Sequence, residues 1–516
     1  MSTKKYRDHQ SLGQSFLLPP SPRDWLPPDH LAFFLMDVVD QLDLSAIEDV
    51  IHAKDPRGER PYSPRMLTAV LLYSYARGVF SSRKIERATY EDVGTRVVAG
   101  ETHPDHSTLA RFRKTFQAEL SGLFVQVLAL CQEAGLVRLG RVAIDGTRVQ
   151  AYASKHKAMS YEYMKKKLEK LEEEVRSLMQ MADEADRLED AEQGDDNLLL
   201  NHIPAELSRR QERIKLIKET MKRMEAEARD ARIAELEAQA ARHDEKAEDP
   251  SLSNSRRSMA KKLASNRREE ARAIRDDGDD EPPSSGATID SRQDALFSTQ
   301  SEAPESQDQE SRLPEHVIRH YADGSVYPRA QHNFTDADSR IMGHQGGFVQ
   351  AYNGQVVATE QQIIVAQGLS NAAPDAYYLQ PLIDDVAQHC GTFPAVALAD
   401  AGYWSPANAE YLEQRGVDGY IATGRECYEL AESTGSDPPE TPRAAMRAKV
   451  QDPEGRDRYR ARKWMVEPVF GQIKGAIGFR QLLRRGLAAA QAEWALICTV
   501  HNLLKLWRAG VPTPSG

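Results

Sequence analysis

Met164, Leu168, Leu171, Val175 and Leu178 are spaced alternately four and three apart, a seam that a helix buries only against another helix. After a break around Gly194 and Pro204 the pattern returns at Leu207, Ile214, Ile217, Met221, Met224, Ala228 and Ala231. Two such helices joined by a breaker fold most simply into an antiparallel hairpin, and the same seam serves equally for pairing with a second subunit. The sequence just before this region is of another kind. In RLGRVAIDGTRVQAYA, from Arg138, the run Val142, Ala143, Ile144 ends on Asp145 and Gly146, which reads as a strand presenting a carboxylate at its end.

On either side the chain changes character again. SPRMLTAVLLYSYARG predicts a buried helix with Ser63 as N-cap, Pro64 in the first turn and Gly78 past the end. Two further helices follow it. The second, in PDHSTLARFRKTFQ, is capped by Asp105 or Ser107 and carries Arg111, Arg113 and Lys114, so the pair has the outline of a helix-turn-helix or of two structural helices. A last amphipathic helix through LSGLFVQVLALCQEAG closes the region near Gly135. Beyond the heptads, residues 249–325 are rich in Ser, Asp, Glu, Pro and Gln and read as a flexible acidic linker. FVQAYNGQVVATE and QQIIVAQGLS then look like a hairpin of strands, PDAYYLQPLIDDVAQHC like a helix, AVALADAGYW like a buried strand ending on Asp400, SPANAEYLEQRG like a capped helix, and DGYIATG like a short strand. Such an order predicts an α/β fold with a sheet of mixed direction.

A chain of 516 residues calls for several folded units. Its net charge of -11 hides an asymmetry. Residues 276–310 hold eleven acidic residues against one basic, whereas residues 443–508 hold fourteen basic against five acidic, which points to an anionic partner for the C-terminal segment. Cys131, Cys390, Cys427 and Cys498 are far apart and suggest neither a disulfide framework nor a zinc site. With a charged N-terminus and no run of about 20 apolar residues, a soluble cytoplasmic protein with no membrane partner is expected.

A third carboxylate stands in RKWMVEPVFGQIKGAIGFRQLLRRG. Glu467 is read as beginning a helix beside Pro468, with Lys474 two turns along the same face and Val466, Val469, Phe470, Ile473 and Ile477 forming a buried stripe. Three hard oxygen donors with no His or Cys nearby suit Mg²⁺ or Mn²⁺.

VAIDG, LADAGYW and VEPVFGQIK, in this order, resemble the three motif regions of the DDE transposases of bacterial insertion sequences, and residues 61–114 resemble their helical N-terminal domain. In the family's last motif a Tyr and an Arg precede the Glu at fixed spacing. Here those positions hold Arg460 and Lys463, with Tyr459 and Arg462 one residue off, while the Glu467 to Lys474 interval fits. The resemblance implies a ribonuclease H-like mixed sheet flanked by helices, an all-helical N-terminal DNA-binding domain over 1–135, and a first catalytic strand within 136–155. The helical hairpin of 156–248 and the linker of 249–325 become an insertion, and 326–516 completes the catalytic domain. It also implies phosphoryl transfer with two Mg²⁺ ions, Mn²⁺ substituting, held by Asp145, Asp400 and Glu467. Lys474, Lys463, Arg462, Arg480, Arg484 and Arg485, with Arg111, Arg113 and Lys114, are the expected contacts to double-stranded DNA, both inverted-repeat ends and target, and Trp404 either stacks on an extruded base or lies in the core. A homodimer or higher oligomer on DNA follows, with the heptads as its means of assembly. The alternatives are a ribonuclease H-like nuclease or host-adopted DNA-binding protein, and a non-enzymatic coiled-coil scaffold.

Overall fold

The structure, a computed structural model, describes residues 21–53, 61–189, 203–279, 313–344, 346–424 and 441–510. The break expected at Gly194, most of the acidic run of 276–310, and Cys427 lie outside these residues. Contacts divide the chain into two compact units, Met1–Tyr152 with Ala351–Gly516, and Ala153–Gln350.

In chain order the first unit begins with helices α1 (Leu31–Gln41), α2 (Ser45–His52), α3 (Pro64–Ala76), α4 (Ser82–Glu91), α5 (Val93–Val98), α6 (His106–Thr115) and α7 (Gln117–Glu133), followed by strand β1 (Arg141–Gln150). The second unit contains β2 (Ala158–Ser160), α8 (Tyr161–Glu189), α9 (Ile203–Glu248), α10 (Asn254–Asp279), β3 (Gln331–Asn333), β4 (Arg340–His344) and the start of β5 (Gly347–Thr359). The rest of β5, β6 (Ile364–Ser370), α11 (Leu379–Cys390), β7 (Val396–Ala399), α12 (Pro406–Gln414), β8 (Asp418–Ile421), α13 (Pro442–Gln451), α14 (Pro453–Gly471) and α15 (Leu487–Arg508) return to the first unit.

Local chemistry explains the helix ends. The Ser63 hydroxyl accepts from the Met66 amide and Gly78 takes φ +75°, as the cap and stop signals of α3 require. Of the two candidate caps for α6, Asp105 is used, accepting from Thr108 N at 2.9 Å. Glu467, read from sequence as a helix start, instead lies well inside α14, which starts at Pro453 with Asp452 as its N-cap. Proline suits a first turn but is also tolerated inside a helix when another donor serves the carbonyl it leaves unpaired. Here the Gln362 side-chain amide, at 3.0 Å, donates to Trp464 O, four residues before Pro468.

Among the described residues of the first unit the strands run in the order β6-β5-β1-β7-β8. β5 is antiparallel to both β1 and β6, whereas β1, β7 and β8 are mutually parallel. Strands buried on both faces read as continuous apolar runs, as Val142–Ile144 and Val396–Ala399 do. α14 packs on β1, and α15 on β6, α7 and α3. The N-terminal helices, expected to form a domain of their own over 1–135, therefore share one unit with the sheet. Trp494 of α15 is fully buried, with its ring 3.0 Å from the place a Cβ on Gly354 of β5 would take, and its indole donates to Gln355 O at 3.3 Å. The smallest residue on the strand thus makes room for the largest on the helix.

In the second unit α8 and α9 run antiparallel, with Glu172 paired to Lys218 at 2.8 Å and Glu174 to Arg210 at 3.0 Å. Met164, Leu171, Ile217, Met224 and Ala228 of the heptad seam form one buried cluster with Tyr161, Val326 and Ala330. Residues 254–279 correct the expectation of a linker from 249, since they form α10. Its buried residues are Ala260, Ala264 and Ala271, opposite an α9 that buries Leu236, Ala240 and Ala247. Reading for large apolar side chains overlooks a seam made of alanines, which packs by close backbone approach. No described helix is long and apolar enough to cross a membrane.

Trp494→Ala is expected to destabilise the first unit by about 3 to 5 kcal/mol, because the cavity cannot be filled from the glycine side. Urea denaturation followed by near-UV circular dichroism measures it, and a loss under about 1 kcal/mol would contradict the packing described.

Candidate active site

Register brings the first two acids together. Ile144 of β1 is paired in parallel with Ala399 of β7, so the next residues, Asp145 and Asp400, stand at the same level. Asp400 follows the end of β7, whereas Asp145, expected at a strand end, lies within β1, which runs on beside β5 to Gln150. Asp145 Oδ2 lies 2.8 Å from Arg462 Nη1, and Asp145 Oδ1 accepts from Gly146 N at 2.8 Å. Asp400 Oδ1 accepts from Gly402 N at 2.8 Å, turning the chain out of the strand. Burial pushes the Asp145 carboxyl up to about 6; the Arg462 charge opposes this and the Asp400 charge adds to it.

Asp375, just before α11, is a third carboxylate of the site, and the sequence reading missed it. Its Oδ1 accepts from Asn353 Nδ2 at 2.7 Å and from Gln355 Nε2 at 3.0 Å, both on fully buried side chains of β5, and Arg148 Nη1 stands 3.6 Å away. The Tyr403 hydroxyl in turn donates to Gln355 Oε1. A Cβ on Gly402 would lie 3.0 Å from Asp400 Oδ1 and 3.2 Å from Asp375 Oδ2, so the missing side chain keeps the space between the two carboxylates open. The available signal was polar residues, Asn353 and Gln355, in an otherwise apolar strand: such residues are buried only with partners.

Lys474 lies on a single turn of π-helix, Gln472–Ala476, that continues α14. Its Nζ donates to Thr147 Oγ1 at 2.5 Å and to Arg148 O at 2.8 Å, and burial, with the Arg148 charge, lowers its pKa. Glu467 is not gathered in. It sits on an exposed face of α14, and its side chain makes no hydrogen bond or ion pair among the described residues. Accordingly no three His, Cys, Asp or Glu side chains stand close enough to hold a metal ion among the described residues. The donors present are all carboxylate oxygens, with an open space between two of them. In chemistry they fit a hard divalent cation rather than zinc.

The expected DNA contacts separate into two groups. Arg113 is buried, and its guanidinium donates to the Tyr75 hydroxyl at 2.9 Å and to Phe80 O at 3.0 Å, with Ser82 as a further partner. Tyr75 also donates to buried Glu493, so Arg113 serves a structural network and its expected role on DNA is withdrawn. Arg462 is tied to Asp145, Lys474 to β1, and Arg484 to Arg113 O and Gln117 Oε1, so as arranged these three serve the protein itself. Arg111, Lys114, Lys463, Arg480 and Arg485 are exposed, the last over the Tyr152 ring at 5.1 Å, and Trp404 is half-buried.

A family profile described as "Transposase domain (DUF772)" matches residues 20–115, and one described as "Transposase DDE domain" matches residues 434–507. Together the two matches, at the N- and C-terminal parts of the chain, support a DDE transposase of insertion sequences. Neither the curated proteins nor the solved structures yield a match. The DDE profile covers Glu467 and Lys474, while Asp145, Asp375 and Asp400 lie outside it.

Because the Asp145 carboxyl is raised, the folded transposase holds that proton more tightly than the unfolded chain. The stability this gives is present at low pH and is lost as pH rises from 3.8 to about 6. In metal-free solution Asp145→Asn should flatten this loss by about 3 kcal/mol at most. Denaturation midpoints taken across that window with a chelator present test it; an unaltered pH dependence counts against the buried carboxylate.

Proposed function

We propose that this transposase cleaves DNA strands at the ends of an insertion sequence and joins them to target DNA, using Asp145, Asp400 and Glu467. The observation that carries the reading is the level pairing of Asp145 and Asp400 on adjacent parallel strands, beside the helix α14 that the DDE profile covers. A mixed sheet with β5 antiparallel to the central β1, flanked by helices, supports a ribonuclease H-like catalytic domain. The second unit is then an insertion between the first catalytic strand and the rest.

Asp145 and Asp400 would hold divalent ions, two Mg²⁺ or Mn²⁺, with Glu467 completing the set. Bound ions supply charge neutralisation at the scissile phosphate and promote attack on it. Arg462 fixes the orientation of Asp145 and keeps the half-buried pair of acids tolerable until then. The Asn353 and Gln355 amides hold Asp375 across Gly402 from Asp400, where its negative charge, partly offset by Arg148 3.6 Å away, adds to the affinity for cations. Lys474, anchored on β1 by Thr147, carries a positive charge near the strand end where a DNA phosphate would lie. Glu467 has no internal partner to give up among the described residues, so its carboxylate is available to ligands. The partners are inverted-repeat ends and target DNA, and joining two ends calls for at least two protomers, with the heptad helices as the candidate means of assembly.

Strand cleavage in Mg²⁺ on DNA carrying the ends of the element distinguishes this reading from a structural role for the acids. Asp145→Ala, Asp400→Ala and Glu467→Ala are each expected to lower cleavage by about 10³-fold or more while end binding changes by less than about threefold. Normal cleavage by Glu467→Ala would remove that residue from the site, and normal cleavage by either aspartate variant would end the proposal.

A further inference from the structure

From Asn254 to Arg268 the chain has six basic residues, Arg256, Arg257, Lys261, Lys262, Arg267 and Arg268, and no acidic one, within a protein of net charge -11. All six lie on α10. That helix buries Ala260, Ala264 and Ala271, leaving Arg256, Lys261, Lys262, Arg268 and Arg272 exposed. Arg257, Lys261, Arg268 and Arg272 follow one another at spacings of four, seven and four, which places them in one stripe along the helix.

The charges of α10 are not all spent within the protein. Arg268 pairs with Asp244 and Arg275 with Glu237, both of α9, and Arg267 pairs with Glu270 at 2.8 Å. These bonds hold α10 in place. Arg256, Lys261, Lys262 and Arg272 make no ion pair among the described residues. Between them stand short hydrogen-bonding side chains, Ser255, Ser258 and Ser265, which let a large anionic surface approach closely. An exposed helix stabilised only by its own surface mixes both signs of charge at helical spacing. α8 does so, with Glu162 bonded to Lys166 at 2.7 Å and acids throughout. The first half of α10 does not.

We infer that the exposed basic face of α10, in the second unit, binds the phosphate backbone of double-stranded DNA without reading its sequence. The inference rests on the reading of the chain as an enzyme acting on DNA, and adds to it a contact surface remote in sequence from the carboxylates. Lys261 and Arg272, which share one line of the helix, are separated by a rise of about 16 Å, the length of about five base-pair steps, enough for several phosphates of one groove edge. The positive end of the helix dipole lies at the same end as the basic run. Small polar residues and unpaired cations, with Met259 as the large apolar side chain exposed among them, suit a phosphate surface better than a protein interface with a buried apolar centre.

The test uses the full chain and a labelled duplex of arbitrary sequence, with affinity measured by fluorescence anisotropy across salt concentrations from about 50 to 200 mM. A variant combining Arg256→Gln, Lys261→Gln, Lys262→Gln and Arg272→Gln is compared with one combining Lys165→Gln, Lys166→Gln, Lys170→Gln and Arg176→Gln on α8, which removes as much charge elsewhere in the same unit. The α10 variant is expected to bind about tenfold more weakly or worse, with a salt slope shallower by about 2 to 4, at about 0.9 per lost phosphate contact. The α8 variant should keep the wild-type slope. In the wild type, duplex should protect Lys261 and Lys262 from acetylation, a readout independent of how the variants fold. If the wild type binds duplex while both variants match it, or both weaken equally, or the two lysines stay reactive, α10 is not the surface and the reading of the carboxylate site stands. If the wild type binds no duplex at all, both fall.

Discussion

A carboxylate on the central strand of a sheet loses its water, and the cost has to be met by a cation held at the same place. For Asp145 that cation is the Arg462 guanidinium of α14. The pairing ties a helix near the end of the chain to the strand that precedes the long insertion, 317 positions away in sequence. The same strand then carries Thr147 and the Arg148 carbonyl, which receive Lys474 one stage further along the same helical stretch. Two cations from one helical stretch thus meet β1, one at Asp145 and the other at Thr147 and Arg148.

The polar arrangement on the β5 side follows a complementary logic. Asn353 and Gln355 are fully buried, yet each is satisfied by a defined partner: Asp375 for both, and the Tyr403 hydroxyl for Gln355. A network of this kind fixes side-chain direction more strictly than apolar packing, because a wrong rotamer leaves a donor unpaired. It turns the free oxygen of Asp375 towards Gly402, and Gly402 is small enough to leave that oxygen facing Asp400. Negative charge accumulates there, only partly offset by Arg148, 3.6 Å from Asp375.

Much of the fold was legible because its signals are local. The cap at Ser63, the apolar runs that end on Asp145 and Asp400, and the hairpin of β5 and β6 are each written in a few neighbouring residues. What escaped was written in distant partners. Arg113 looked like a surface cation because its helix is basic, and only the fold supplies the Tyr75 and Phe80 oxygens that bury it. Asp375 looked like a helix-starting acid until β5 brought it two amides. α10 passed as linker because its seam is alanine, whose apolar contribution per residue is small and is gained only against a close neighbour. Glu467 looked like a helix start because proline follows it, and proline inside a helix is recognisable only when the replacement donor is known.

That replacement donor has a mechanical meaning. At Pro468 the main chain of α14 lacks one rung, and a side-chain amide reaching across from Gln362 at the β5–β6 turn takes its place. The helix thereby runs on from the Arg462 half to the stretch bearing Glu467 and to the π-turn bearing Lys474. Gln362 acts as a stay, tying the helix to the β5–β6 turn at a point between the anchored guanidinium and the outward carboxylate.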